Sequence, residues 1–279
     1  MKILVTGGAG QLGRALARRA GAHEVVAVDV DRLDIGDAAQ IDRGLAGFDA
    51  VINAAAYTAV DKAETERDRA FAINATGAEL LARACERKLR MLHVSTDYVF
   101  DGTATRPYRE DDPIAPLGVY GESKAAGERA VHAHGGTVVR TSWLFGAGGP
   151  SFVHTMLRLS RERPVLRVVA DQHGCPTWTD DLADALFALV ARAQLAPTYH
   201  FCNAGATTWH GFATAIVELA RRRGPIACER VDAITTAEYP TPAKRPAYSV
   251  LDCARIASLG IAPPTWQRGL EDVVAKELS

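Results

Sequence analysis

Tyr120 and Lys124 stand four residues apart in Tyr120-Gly121-Glu122-Ser123-Lys124, and Thr96 lies upstream in Val94-Ser95-Thr96-Asp97-Tyr98-Val99-Phe100. On a helix, residues at i and i+4 share a face, so a phenol and an ammonium at this spacing can point into one cleft. That pair suits the reduction of a ketone, in which a nicotinamide cofactor supplies the hydride and the protein must supply the proton. A free tyrosine, with a pKa of about 10, holds its proton too tightly for this work near neutrality, and a neighbouring ammonium favours the phenolate. The expected roles are Tyr120 as proton donor, Lys124 as the group that tunes it and binds the nicotinamide ribose, and Thr96 as the hydroxyl that orients the substrate oxygen. Asp97, next in the chain, is placed to hydrogen-bond sugar hydroxyls.

A reductase of this kind needs a dinucleotide site, and the N-terminus offers one. Thr6-Gly7-Gly8-Ala9-Gly10-Gln11-Leu12-Gly13 follows a short apolar run and opens an amphipathic stretch. It reads either as Gly8-x-Gly10-x-x-Gly13 or as the looser Gly7-x-x-Gly10-x-x-Gly13. Both expose backbone N–H groups and a helix N-terminus to a pyrophosphate, where side chains would block the approach. Asp29, at the end of the second apolar run, suits the adenosine ribose of NAD, whereas Arg14 and Arg32 suit the 2′-phosphate of NADP. Both cofactors, NADPH and NADH, stay open.

Ile3 to Thr6, Val25 to Asp29, Ala50 to Asn53, Leu92 to Ser95 and Val138 to Thr141 are short β-branched runs separated by amphipathic stretches. Their continuous apolar character predicts strands buried on both faces, hence an α/β fold with a Rossmann-like, doubly wound parallel sheet. Arg69 to Arg87 predicts a long crossover helix of purely structural role, with Glu79 and Arg83 outside. A second helix is expected from Trp209 to Arg223, its arginines suiting the helix dipole. After Gly146 the alternation loosens and prolines multiply. The expected division is a dinucleotide-binding core over 1–145 and an interleaved, smaller C-terminal substrate-binding lobe over 146–279.

Bulk properties narrow the partner to a small molecule. The 279 residues are 48% hydrophobic with a formal net charge of -1, against a nucleic-acid footprint, a polybasic membrane patch or a disordered chain. The five cysteines form no Cys-x-x-Cys pair and their number is odd, which fits reduced thiols in the cytoplasm; the first apolar run breaks too early for an export signal. The eight histidines show no metal-ligand spacing, and Cys175 has no base beside it in sequence.

Taken together, the chain resembles the dTDP-4-dehydrorhamnose reductases among the extended short-chain dehydrogenases. The resemblance rests on Gly10-Gln11-Leu12-Gly13, Leu33-Asp34-Ile35, the block from Ile52 to Glu64, Ser95 to Gly102, Tyr120-Gly121-x-x-Lys124, Arg140 to Gly146, Asp171-Gln172-x-Gly174-x-Pro176-Thr177, and Arg245-Pro246 before Ser249. It implies reduction of the 4-keto group of dTDP-4-dehydro-β-L-rhamnose to dTDP-L-rhamnose with NADPH or NADH. It also implies cofactor contacts from Gly10, Gln11, Leu12, Asp34, Ile35, Ala54, Ala55 and Ala56, beside Gly7 and Gly13 of the glycine motif, and nucleotide-sugar contacts from Val60, Thr96, Asp97 and Trp143.

Two positions depart from the family pattern. Where some members carry an acidic residue for a magnesium ion that bridges a dimer, this chain reads Gly13-Arg14-Ala15, leaving Asp180 as a lone carboxylate, so no metal is expected and the assembly is a monomer or weak homodimer. Pro150-Ser151-Phe152 places serine where the family usually has asparagine. A reductase of another dTDP-4-keto sugar, of the dihydrostreptose-synthase type, therefore stands as an alternative. So do a nucleotide-sugar epimerase or dehydratase and a non-catalytic regulatory binding subunit.

Overall fold

The computed structural model describes residues 1–278. The N-terminal half alternates strand and helix: β1 (Lys2–Thr6), α1 (Gln11–Arg18), β2 (Glu24–Val28), α2 (Ala38–Gly44), β3 (Ala50–Asn53), α3 (Val60–Ala63), α4 (Arg67–Phe71), α5 (Ala78–Cys85), β4 (Arg90–Thr96), α6 (Val119–Ala133) and β5 (Thr137–Thr141). The remainder comprises β6 (Leu144–Phe145), α7 (Phe152–Glu162), β7 (Val165–Val169), β8 (His173–Gly174), β9 (Thr177–Trp178), α8 (Thr179–Val190), β10 (Thr198–His200), β11 (Thr207–Thr208), α9 (Trp209–Arg223), β12 (Arg230–Ile234), α10 (Ala254–Ala257) and α11 (Trp266–Glu277).

Six strands form one sheet in the order β10-β5-β4-β3-β1-β2, with every neighbouring pair parallel. The chain moves from β1 outward to β2, then returns to the other side of β1 as β3. That reversal opens a crevice at the carboxyl ends of β1 and β3, the usual ligand position in open α/β sheets. Alternate residues of each strand feed opposite cores. Ile3, Val5, Ile52 and Leu92 pack with Leu16 of α1 and Leu182 and Leu186 of α8. Leu4, Val51 and Met91 pack with Ile41 of α2 and Leu81 of α5.

The five N-terminal strands lie where the apolar runs put them, with ends shifted by one or two residues, and α9 spans the expected range. The crossover helix differs. Between α4 and α5 the backbone widens into a π-turn over Ala72–Gly77, which buries Asn74. Its side chain bonds the backbone N–H and carbonyl of Tyr57 at 2.8 and 3.0 Å and donates to Ser123 of α6 at 3.0 Å. The extra residue in the turn aims this amide at both the post-β3 loop and α6.

Residues beyond Gly146 add β10 to the main sheet and pack α8 against it, and with Phe145 they build a second core from Met156, Leu166, Phe212, Ile216, Trp266 and Leu270. A buried ion pair of β5 and α6 also reaches β10. Arg140 of β5 meets Glu128 of α6 at 2.8 Å, contacts His200 of β10 at 3.3 Å and lies over the Phe100 ring. Arg221 closes α9 by donating to the carbonyls of Cys228 and Glu229. No helix among the described residues is long and apolar enough to cross a membrane. All five cysteine thiols are free.

Candidate active site

The glycine turn is shaped by contacts that no side chain would tolerate. Gly7 has φ +73°, and a Cβ there would sit 2.7 Å from the Ala55 nitrogen; a Cβ at Gly13 would sit 2.2 Å from the Gly7 carbonyl oxygen. These two glycines let β1, α1 and the Ala54–Ala56 segment close on one another. Gly10, the N-cap of α1, leaves the helix N-terminus without a side-chain cap, so its backbone donors suit an anion. The residues therefore fit a dinucleotide pyrophosphate.

The other expected cofactor residues flank this turn. Asp29 accepts from the Ala9 and Val30 backbone N–H groups, each at 2.8 Å, fastening the end of β2 to the turn. Asp34 accepts from the Gly36 N–H at 2.8 Å, and Ile35 is buried against Gly77 of the π-turn. Of the two arginines considered for a 2′-phosphate, Arg14 is engaged elsewhere, donating to the carbonyls of Ala9 at 2.9 Å and Gly148 at 2.6 Å. Arg32 is exposed. Gln11 reaches over the turn to the Pro150 carbonyl at 2.8 Å, so the Gly146–Ser151 loop lies beside the pyrophosphate position.

Thr96 ends β4 and Tyr120 opens α6, whose first N–H donates to Glu64 at 3.0 Å, a carboxylate favoured by the helix dipole. The glycine inside Tyr120-Gly121-x-x-Lys124 has a steric reason: a Cβ at 121 would lie 2.2 Å from the Tyr98 carbonyl oxygen. That approach sets Tyr120 edge-on to Tyr98, with ring centroids 5.8 Å apart, and brings the phenol within reach of the Thr96 hydroxyl. Loss of water pushes the Tyr120 phenol up to about 12, with Thr96 acting in the opposite direction. Lys124 points inward, 2% exposed, with Nζ donating to the Val94 carbonyl at 2.7 Å and 3.3 Å from His93 Nε2. The acidity of Tyr120 here is set chiefly by burial.

Asp97 is buried, accepts from the Thr96 hydroxyl at 3.0 Å, has Ser249 beside it, and keeps Oδ2 unpartnered. Burial pushes its carboxyl up to about 7. Thr96 thus has one hydroxyl proton and two acceptors, Asp97 and Tyr120. Val60 lines a cleft with Tyr98, Tyr120, Lys244 and Pro246. Next in the chain to the lining residues Val60 and Lys244, Asp61 and Arg245 form a forked ion pair at 3.0 and 2.9 Å.

Trp143, just beyond β5, has φ +47°, a strained value for a bulky side chain. Its indole stacks on Trp209 with centroids 3.6 Å apart, and a Cβ at Gly174 would come within 2.5 Å of it. Ser151 bonds His154 at 2.8 Å. Asp180 is paired with Arg18 at 2.7 Å, and among the described residues no cluster of three His, Cys, Asp or Glu side chains is arranged for a metal.

The structure therefore gathers the glycine turn, Ala54–Ala56, Thr96, Asp97, Tyr120, Lys124 and Trp143 around the carboxyl edge of the sheet. Sequence reasoning missed His93, Asn53, Asn74, Asp61, Arg245, Ser249 and Trp209. A polar residue inside an apolar strand was the available signal for His93. Asn53, Asp61, Arg245 and Ser249 stood within the motifs that carry the resemblance, without a role.

Comparison with known proteins identifies the family. The family profile described as the RmlD substrate binding domain matches residues 1–279. A dTDP-4-dehydrorhamnose reductase of Streptomyces griseus is 47% identical over 274 residues, covering 93% of this chain and 88% of that protein. One from Aggregatibacter actinomycetemcomitans is 44% identical over 289 residues, covering 98% of each. The crystal structure of dTDP-4-dehydrorhamnose reductase from Bacillus anthracis in complex with NADP superposes with a TM-score of 0.92 at 36% identity, covering 99% of each chain. With its glycine turn, its Tyr120 and Lys124 pair and full-length similarity to these reductases, the chain belongs to the dTDP-4-dehydrorhamnose reductase family.

Proposed function

We propose that this protein reduces the 4-keto group of dTDP-4-dehydro-β-L-rhamnose to give dTDP-L-rhamnose, using NADPH or NADH. The observation that carries the reading is the convergence of Thr96, Tyr120 and buried Lys124 beside an uncapped glycine turn at one edge of the sheet. Gly7 to Gly13, Asp29, Asp34, Ile35 and Ala54 to Ala56 would hold the nicotinamide nucleotide, which would supply hydride for the substrate carbonyl carbon.

The chain's own residues handle the proton and the geometry. Tyr120 donates its phenolic proton to the developing alkoxide, and Thr96 holds the carbonyl oxygen beside it. In its ammonium form Lys124 compensates the negative charge left on the phenolate. Asp97 takes a sugar hydroxyl with its unpartnered Oδ2, Val60 lines the sugar pocket and Trp143 contacts the nucleotide sugar. Enclosure of Asp97, Lys124 and the Tyr120 phenol keeps water from competing for these bonds.

The test is oxidation of NADPH, then NADH, by the purified protein with enzymatically generated dTDP-4-dehydrorhamnose, the product being identified by NMR. Stoichiometric oxidation with rhamnose formed supports the reading. Cofactor binding without oxidation overturns it.

A further inference from the structure

Beneath the proposed proton-donating pair runs a buried polar chain that the reaction does not by itself require. It links Thr6 of β1, Asn53 of β3, His93 of β4 and Lys124 of α6, none of them more than 2% exposed. Asn53 has its amide orientation fixed: Oδ1 accepts from the Ala55 backbone N–H at 3.1 Å and from the Thr6 hydroxyl at 2.7 Å. A backbone N–H can only donate, so the atom facing that group is the oxygen. Nδ2, which carries two protons, then faces His93 Nδ1 at 3.0 Å.

It follows that Nδ1 of His93 is the lone-pair nitrogen. A neutral imidazole with a lone pair on Nδ1 carries its proton on Nε2, the atom 3.3 Å from Lys124 Nζ. A doubly protonated ring would set a donor against Asn53, and burial holds His93 well below its ordinary range. Lys124 therefore meets an N–H donor. An ammonium there sets donor against donor, whereas an amine accepts from His93 and still donates to the Val94 carbonyl at 2.7 Å.

We propose that His93, locked by Asn53 as its Nε2–H tautomer, is a positioning residue that favours the amine form of Lys124 and so keeps ammonium and amine in exchange during the reaction. The direction of the Lys124 shift agrees: burial lowers it to about 8, opposed by Glu128 on its own helix. The other titratable groups at this point are Tyr120 on the same helix, Asp97 acting on Tyr120, and His132, which further lowers His93. The inference rests on the reading of Tyr120 and Lys124 as the proton-handling pair.

The experiment uses the full-length protein without substrate, so its failure is distinct from failure of the proposed activity. Long-range proton–nitrogen NMR of the histidine rings reads the tautomer of His93, assigned by its loss in His93→Gln or by through-space contacts to Val94. The expected result is a protonated Nε2 and a bare Nδ1 across neutral pH. A protonated Nδ1 overturns the proposal. Carbon-labelled lysine then gives the Lys124 titration midpoint. In His93→Gln, where the amide can turn its oxygen to Nζ, the midpoint should rise by about one pH unit, a tenfold gain in ammonium. An unchanged or lowered midpoint overturns the proposal. Should His93→Gln not fold, the tautomer in the parent protein decides alone.

Discussion

Asp97 carries opposed demands, because the carboxyl that faces the sugar position is also buried against Thr96 and Ser249. Its pKa rises from 3.8 to about 7 on folding, so between those values the native state holds a proton that the unfolded chain has released. Stability must then fall as pH rises through that window. Asp97→Asn should remove this decline, gaining about 2–4 kcal/mol over the parent at pH values above 7 and little under acid conditions. Urea unfolding of both proteins at several pH values checks it, and parallel curves would exclude Asp97 as the titrating group. Tyr120→Phe belongs to the same scale. It should lower kcat by about 10²–10⁴-fold while cofactor affinity, measured by fluorescence titration, stays within about twofold, since the variant loses one hydroxyl and keeps the ring against Tyr98.

Elements position these groups through close backbone approaches rather than through long side chains. Helix α6 comes near enough to deliver Tyr120 because Gly121 meets the Tyr98 carbonyl and Gly127 meets the Asn74 carbonyl, where a Cβ would lie 2.2 and 2.1 Å away. Gly121→Ala should push the helix start outward. A displacement of about 1 Å at a reacting group costs on the order of 10²-fold in rate; kcat should fall by that order, with thermal stability reduced as well. Unchanged kcat would show that Tyr120 does not need this approach. Gly13→Ala acts on the cofactor side, since its methyl would meet the Gly7 carbonyl. The expected outcome is loss of cofactor binding by calorimetry together with destabilisation of about 1–3 kcal/mol, the usual range for overpacking.

At the scale of the whole molecule, the buried pair Arg140 and Glu128 ties β5, α6 and β10 together beneath the site. Glu128→Gln should cost about 3–5 kcal/mol in urea unfolding, because it leaves the guanidinium buried without its counter-charge; a loss under about 1 kcal/mol would mean that His200 and Glu110 suffice. How far such features were legible differs by their physical origin. Tyr120, Lys124, the glycine turn and the strands could be read from the chain because they depend on local periodicity: i and i+4 share a helical face, and continuous apolar runs mark strands buried on both sides. His93, Asn53, Arg245 and Trp209 could not be assigned roles in this way. Their partners lie 31, 40, 184 and 66 residues away, with the last separation counted from Trp143 to Trp209. Which strand lies beside which, and how closely α6 approaches the sheet, is decided by packing of the whole chain. The amino-acid order by itself determined the chemistry available and its local spacing, whereas the tertiary structure decided the burial and partners of each group, and through them the acidities of Asp97, Tyr120 and Lys124.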